Sequence, residues 1–267
     1  MPGDNRYAWL AAAMRARWIV AFDGDLPASK NWPIDRLVPY PAVPGTWGDM
    51  VARLVDGPPA PQYAPSQWPA APAAAFELPR SLFAVLHVGA STPLKLWPPE
   101  RWRAIAQRIA ARGIEPVWSA GRGEEARVAA CDPEGRWRSY AGTLDLAQMR
   151  ALLDRASLVV SPDTGIAHLA RIAGTPSVTL YGPGSATITG AGRFYAAIPW
   201  RAVAIDPFPC RDQNVLFRRE IAWVRRCGRS TAECARPRCM EAIDVEACSS
   251  AIEAVLAQPD LRVPPSR

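Results

Sequence analysis

The amino-acid sequence predicts an α/β domain built on a doubly wound parallel sheet, spanning residues 81–257. Three observations carry this reading. Short apolar segments alternate with helix-patterned segments from Ser81 onward, which is the pattern of βαβ units. Glycine-bearing loops follow several of the apolar segments, at the strand ends where such sheets bind ligands. A proline- and alanine-dense stretch over residues 58–80 sets this region apart from what precedes it. Proline fixes φ and lacks an N–H, so the stretch reads as an extended linker at a domain boundary.

Taken in order, Ser81–Val88 is an apolar strand, and Pro99–Arg112 is a helix with proline at its start and Gly113 just past its end. Ile114–Ser119 is the next strand and Glu124–Ala130 a short helix. Leu146–Arg155 is a helix, Ala156–Val160 a strand, and Ile166–Ala173 a helix closed by Gly174. Ser177–Tyr181 is a further strand, Val203–Ile205 a last short one, and Val245–Leu256 the terminal helix. Residues 258–267 are expected to be a tail.

Residues 1–57 are less regular. Tyr7–Ala16 is alanine-rich and helix-prone, Trp18–Phe22 is a short apolar strand, and residues 46–55 suit one more helix. The piece between Pro27 and Pro44 reads as irregular, which leaves the strand with no partner in its own segment. A single strand cannot form a sheet.

Composition narrows the function classes. The 267 residues are 49% hydrophobic and 21% charged, as expected of a core-forming protein. No stretch approaches the roughly 18 consecutive apolar residues of a membrane span, and the first residues show no basic region followed by an apolar run. A cytoplasmic location is expected. The net charge of +6 suits an anionic small molecule or a membrane surface, and is too mild for nucleic acid. Only Lys30 and Lys95 among the 31 basic residues are lysines, so a lysine inside a motif invites a chemical reason. An ammonium is a compact point charge, whereas a guanidinium is a broad fork.

Of the six cysteines, Cys210, Cys227, Cys234 and Cys239 cluster in an arginine-rich segment. No C-x-x-C pair exists, and the spacing fits no zinc ribbon or finger. Reduced, partly buried thiols are expected, with no metal and no cofactor. The absence of G-x-G-x-x-G after the first strand argues against NAD, and so against an epimerase on a similar scaffold.

Three loops lie where ligands bind. His87-Val88-Gly89-Ala90-Ser91-Thr92-Pro93-Leu94-Lys95-Leu96-Trp97-Pro98 offers a glycine, two hydroxyls and a lysine between a strand and a helix. Glycine admits a ligand close to the backbone, hydroxyls donate to phosphate oxygens, and the ammonium neutralises their charge. The loop lacks the spacing of a Walker motif. Ser161-Pro162-Asp163-Thr164-Gly165-Ile166-Ala167-His168 leads a strand into a helix whose free amides form an anion site. His168, three residues past Gly165, lies on the same helical face. The plainer reading makes Asp163 or Thr164 an N-cap and His168 a packed histidine. The third loop, Tyr181-Gly182-Pro183-Gly184-Ser185, permits tight turning.

In this order the motifs resemble the bacterial heptosyltransferases that build the lipopolysaccharide core. Asp163-Thr164-Gly165-x-x-His168 is the strongest element. Gly89-Ala90-Ser91…Lys95-x-Trp97-Pro98, Gly121-Arg122-Gly123-Glu124, Ala141-Gly142-Thr143-Leu144 and Tyr181-Gly182-Pro183 complete the set. The resemblance covers residues 83–256 well and 1–57 weakly. It implies a GT-B enzyme, with two Rossmann-like domains facing across a cleft and metal-independent inverting transfer. Residues 81–257 would be the nucleotide-sugar-binding half and residues 1–57 a remnant of the acceptor-side half.

By that resemblance, Ser91, Thr92 and Lys95 would hold the diphosphate of ADP-heptose, and Thr164 and Gly165 would complete its site. Asp163 and His168 would lie near diphosphate and sugar, Glu124 at the ribose hydroxyls, and Leu144 at the adenine edge. The expected partners are an ADP-heptose-like donor and a lipopolysaccharide or other glycan acceptor, with no nucleic acid. The family's general base belongs to a part of the acceptor-side domain not matched here, so the catalytic base is left unassigned. Asp23 and Asp25 follow a strand at the wrong end of that domain. The alternative readings are a non-catalytic nucleotide-sugar-binding module and an inactive remnant.

Overall fold

The computed structural model describes residues 4–259. Most of the expected tail, from Asp260 onward, lies outside the described residues.

The centre of the molecule is a five-stranded, all-parallel sheet. Its strands are β3 (Phe83–His87), β4 (Glu115–Ser119), β5 (Leu158–Pro162), β6 (Ser177–Tyr181) and β7 (Trp200–Ala204), in spatial order β4-β3-β5-β6-β7. The chain first moves outward from β3 to β4, then returns to the other side of β3 with β5. The loops after β3 and β5 therefore flank the topological switch point, where doubly wound sheets bind their ligands.

Every residue of β3, β5 and β6 is buried, because helices cover both faces of a parallel sheet. Alternate side chains sort onto those faces. Leu86, Val160 and Leu180 pack with Trp102, Ile105 and Ile109 of α3 (Pro99–Ala110) and with Ile252 and Val255 of α9 (Val245–Leu256). Val85, Val117 and Val159 pack with Met149, Leu152 and Leu153 of α5 (Leu146–Arg155) and with Ala170 and Ala173 of α6 (Gly165–Ala173). A capping box between Asp145 and Gln148 starts α5. Gly174, at φ +73°, ends α6 in the left-handed conformation that glycine adopts without strain. The short helix α4 (Glu125–Cys131) follows β4.

Residues 4–57 correct one sequence expectation. The region between Pro27 and Pro44 contains a second strand, β2 (Arg36–Val38), which pairs in parallel with β1 (Val20–Phe22). The first strand therefore has its partner. Beside this ribbon lie α1 (Tyr7–Ala13) and α2 (Trp47–Ala52). Thr46 caps α2 by accepting the Asp49 N–H. A third apolar cluster joins this part to the rest of the molecule. Phe22, Met50 and Leu54 meet Ile188 of α7 (Ala186–Thr189), and Leu216 and Ile221 at the hairpin of β8 (Val215–Leu216) and β9 (Arg219–Glu220). The hairpin, α7 and the four-residue helix α8 (Arg238–Glu241) have no counterpart among the sequence-predicted elements.

The segment over residues 58–80 holds only a 3-10 turn, Pro65–Gln67, and is tied down rather than free. Tyr63 is buried. Its N–H donates to the Phe194 carbonyl and its hydroxyl to the Ile172 carbonyl, both at 2.7 Å. Phe76 and Leu78 pack on the α5 face of the sheet.

Candidate functional site

The two switch-point loops meet through one ion pair. The loop after β3 makes a 3-10 turn, Pro93–Lys95, started by the Thr92 hydroxyl, which accepts the Leu94 N–H at 3.4 Å. The turn carries Lys95 across to the end of β5. There its ammonium donates to the Asp163 carbonyl at 2.7 Å and to the Asp163 carboxylate at 3.1 Å. Ser91 is exposed in the same loop and Thr92 is partly buried.

The N-cap reading fails for α6. Thr164 occupies the cap position without a side-chain bond to the helix, and its hydroxyl is buried without a partner among the described residues. Asp163 turns instead to Lys95 and to the Thr189 hydroxyl, 3.3 Å from its other carboxylate oxygen. The first amides of α6 are thus left without a side-chain cap, the condition in which a helix start receives an anion. Gly165 is exposed at that start, and a Cβ there would meet open space.

The third loop closes on the same carboxylate. A Cβ on Gly184 would collide with Asp163, and one on Gly182 with Met240 of α8. At both positions a side chain could be admitted only by displacing its neighbour. Arg211, buried, donates its Nε to the Gly182 carbonyl at 2.9 Å and fixes the loop from behind.

Glu124 sits between two loops. One carboxylate oxygen accepts the Ala90 N–H at 3.2 Å, and the other accepts the Gly121 N–H at 2.8 Å. Arg127 pairs with it at 3.1 Å. Gly89 leaves room for this carboxylate, since a Cβ there would strike it. Leu144, also partly buried, packs with Phe76 and Leu78 against the α5 face. His87, at the end of β3, is buried with Nδ1 at 2.9 Å from the Ser119 hydroxyl, and burial pushes its pKa down to about 4.

Beyond His168 opens a cleft of about 1260 Å³ between α2 and the α6–α7 side of the sheet domain, lined among others by Trp47, Asp49, Arg171, Arg193 and Phe217. Asp49 accepts the Arg193 N–H across it, at 3.0 and 3.1 Å to its two oxygens. His168 has an exposed edge here, and its Nδ1 lies 2.6 Å from Nη2 of Arg171. Arg171, Thr189, Arg127 and Asp49 were not singled out from sequence. Only Arg171, three residues after His168 on the same helix face, carries a sequence signal.

Asp25 is sequestered, whereas Asp23 is exposed. The Asp25 carboxylate is buried, accepting the Asn5 N–H at 2.8 Å and the Lys30 ammonium at 2.9 Å, while Asp23 accepts the Gly24 N–H. All six cysteines are free thiols. Cys210, Cys227, Cys234 and Cys239 line one pocket of about 330 Å³. Among the described residues, no three His, Cys, Asp or Glu side chains are grouped to hold a metal ion. No described helix is long and apolar enough to cross a membrane.

A parallel sheet with a lysine, an uncapped helix start and close-packed glycines at its switch point defines a doubly wound α/β protein with a site suited to an anion. The family model of glycosyltransferase family 9 (heptosyltransferase) matches residues 1–210. The chain belongs to that family. The match takes in the first 57 residues and the sheet domain as far as residue 210, through all five strands of the parallel sheet.

Lipopolysaccharide heptosyltransferase 1 of Pseudomonas aeruginosa is 34% identical over 116 residues, 42% of this chain and 32% of the relative. The corresponding enzyme of Salmonella typhimurium is 33% identical over 91 residues, 33% of this chain and 28% of the relative. The matched stretches thus span a third or less of these relatives. Among solved structures, Escherichia coli ADP-heptose lipopolysaccharide heptosyltransferase II superposes with a TM-score of 0.60 at 17% identity, over 95% of this chain and 74% of that one. E. coli heptosyltransferase WaaC with ADP superposes at 0.55 and 20% identity, over 74% and 64%. These likenesses establish a shared fold.

Proposed function

We propose that this chain binds a nucleotide sugar of the ADP-heptose type and serves metal-independent, inverting transfer of the sugar to a lipopolysaccharide-type acceptor. The carrying observation is the convergence at the switch point of the Lys95 ammonium, the start of α6 without a side-chain cap, and the Thr164 hydroxyl, which has no partner among the described residues. In this reading the diphosphate lies against Lys95, Ser91, Thr92, Thr164 and Gly165. As the bond from sugar to phosphate breaks, negative charge gathers on the leaving diphosphate. Donors already oriented toward it stabilise that charge more than they stabilise the ground state.

Asp163 holds the ammonium in place, and His168 stands on the sugar side of the site. Glu124 and Leu144 would serve the ribose and the adenine edge. Family membership and a structural neighbour containing ADP support adenine as the base. The location is taken to be cytoplasmic, with peripheral contact at the inner membrane. The reading assigns no general base: Asp25 after β1 is buried against Lys30 and the Asn5 amide, and Asp23 follows a strand at the end of the acceptor-side part where the resemblance places no base. With Asp25 sequestered, a nucleotide-sugar-binding module without turnover of its own is the second reading.

The test is calorimetric titration of the purified chain with ADP, GDP and UDP in EDTA. Selective, metal-independent ADP binding is expected. Absence of binding to all three would overturn the donor-site reading, and preference for another base would keep the site and change its donor.

A further inference from the structure

Arg171 is an unusual residue for a helix face. It is 2% exposed, and its Nε has no acceptor among the described residues. Its Nη2 donates to the Thr189 carbonyl at 2.8 Å, and its guanidinium carbon lies 5.9 Å from the Tyr195 ring centre and 5.4 Å from that of Trp200. Between the two rings and the carbonyl, the side chain is held in one orientation. The same Nη2 stands 2.6 Å from Nδ1 of His168, one turn earlier on α6.

A guanidinium has donors and no acceptor, and it does not deprotonate in proteins. The imidazole nitrogen facing it must therefore be the acceptor, so Nδ1 carries no proton. In a neutral imidazole the proton then sits on Nε2.

We infer that Arg171 is a positioning residue that fixes His168 as the neutral Nε2–H tautomer, making it a hydrogen-bond donor to an oxygen of the bound substrate. His168 lines the cleft, so the Nε2 proton is the one offered to a molecule lying there. A ring held this way donates to a phosphate or sugar oxygen and takes no proton through Nδ1, which excludes it as a base acting through that atom. The charges around the ring act in the same sense on balance. Partial burial, then Arg171, lower its pKa; Asp163 raises it and Lys95 lowers it again. Asp49, Arg53, Arg193 and Tyr195 also line the cleft. The tautomer follows from the free protein's geometry; what the proton meets rests on the donor-site reading above.

The experiment is long-range ¹H–¹⁵N correlation on unliganded protein labelled at histidine, from pH 5 to 8. The chain has two histidines, and His168→Gln assigns the signals by deletion. The wild type is expected to show His168 with an unprotonated, hydrogen-bonded Nδ1 and a protonated Nε2, titrating below the ordinary histidine midpoint. An Nδ1–H tautomer, or an imidazolium at pH 7, overturns the inference without any variant. Arg171→Met should bring a visible Nδ1–H population and raise the midpoint, while Arg171→Lys, which keeps a donor, should restore the wild-type pattern. A folded Arg171→Met protein with unchanged His168 signals would equally overturn it. Because no nucleotide is present, failure here is distinct from failure of ADP binding.

Discussion

Lys95 and Asp163 lie 68 positions apart in the sequence, yet the ammonium meets both the carbonyl and the carboxylate of the aspartate, at 2.7 and 3.1 Å. The pair is possible because β3 and β5 are hydrogen-bonded neighbours on either side of the switch point. It is partly buried, so the charge is held in place before any ligand arrives.

Removing that charge gives the most direct prediction. Lys95→Ala should weaken ADP binding at least tenfold, since a charge-assisted phosphate contact is worth about 1.5–3 kcal/mol and tenfold is about 1.4 kcal/mol. Calorimetry on the folded variant checks it. Unchanged affinity would remove Lys95 from the site.

Much of this arrangement is legible in the sequence. β6, α5 and α9 form with the boundaries read from the alternation of apolar and helix-patterned segments, because there the local residue pattern agrees with the packing that the sheet supplies. Lys95 could be found because lysine is rare in this arginine-rich chain. β2 could not be found: its three residues lie between prolines, and only pairing with β1 makes them a strand. The hairpin of β8 and β9, with two residues in each strand, is fixed by packing of Leu216 and Ile221 on Phe22 and Met50. Arg171 escaped for a related reason. One more arginine on a helix reads as a solvated charge, and only the fold shows that Tyr195 and Trp200 enclose it.

Glu124 should have two separable roles. Glu124→Gln places an amide NH₂ where the Ala90 or Gly121 N–H now finds an oxygen, and a buried donor left unpaired costs about 1–3 kcal/mol. The urea midpoint should fall accordingly. If the carboxylate also meets the ribose, the wild type should prefer ADP over 2′-deoxy-ADP and the variant should lose that preference. Preference retained in the variant would restrict Glu124 to holding the two loops.

Gly184→Ala tests the third loop. The new Cβ would displace the Asp163 carboxylate, a side-chain end that can move, so overpacking should cost no more than about 1–3 kcal/mol. ADP affinity should fall nonetheless, because Lys95 loses its anchor. A variant with wild-type affinity would show that the ammonium needs no carboxylate to stay in place.

His87 makes the fold sensitive to acid. Burial holds its pKa near 4 in the folded protein, against 6.5 for the free side chain, with Glu124 pulling weakly the other way. A lowered histidine pKa means that the unfolded chain binds the extra proton first. The contribution to stability is therefore complete above about pH 6.5 and is lost progressively as the pH falls toward 4. Between pH 7.5 and pH 5 the loss from this one group comes to about 2 kcal/mol. His87→Gln offers the Ser119 hydroxyl either a donor or an acceptor and removes the titration. Urea unfolding of both proteins at the two pH values isolates the term: the wild type should lose about 2 kcal/mol more than the variant. Equal losses would mean that protonated His87 is accommodated at the end of β3, and that acid acts on the fold through its carboxylates.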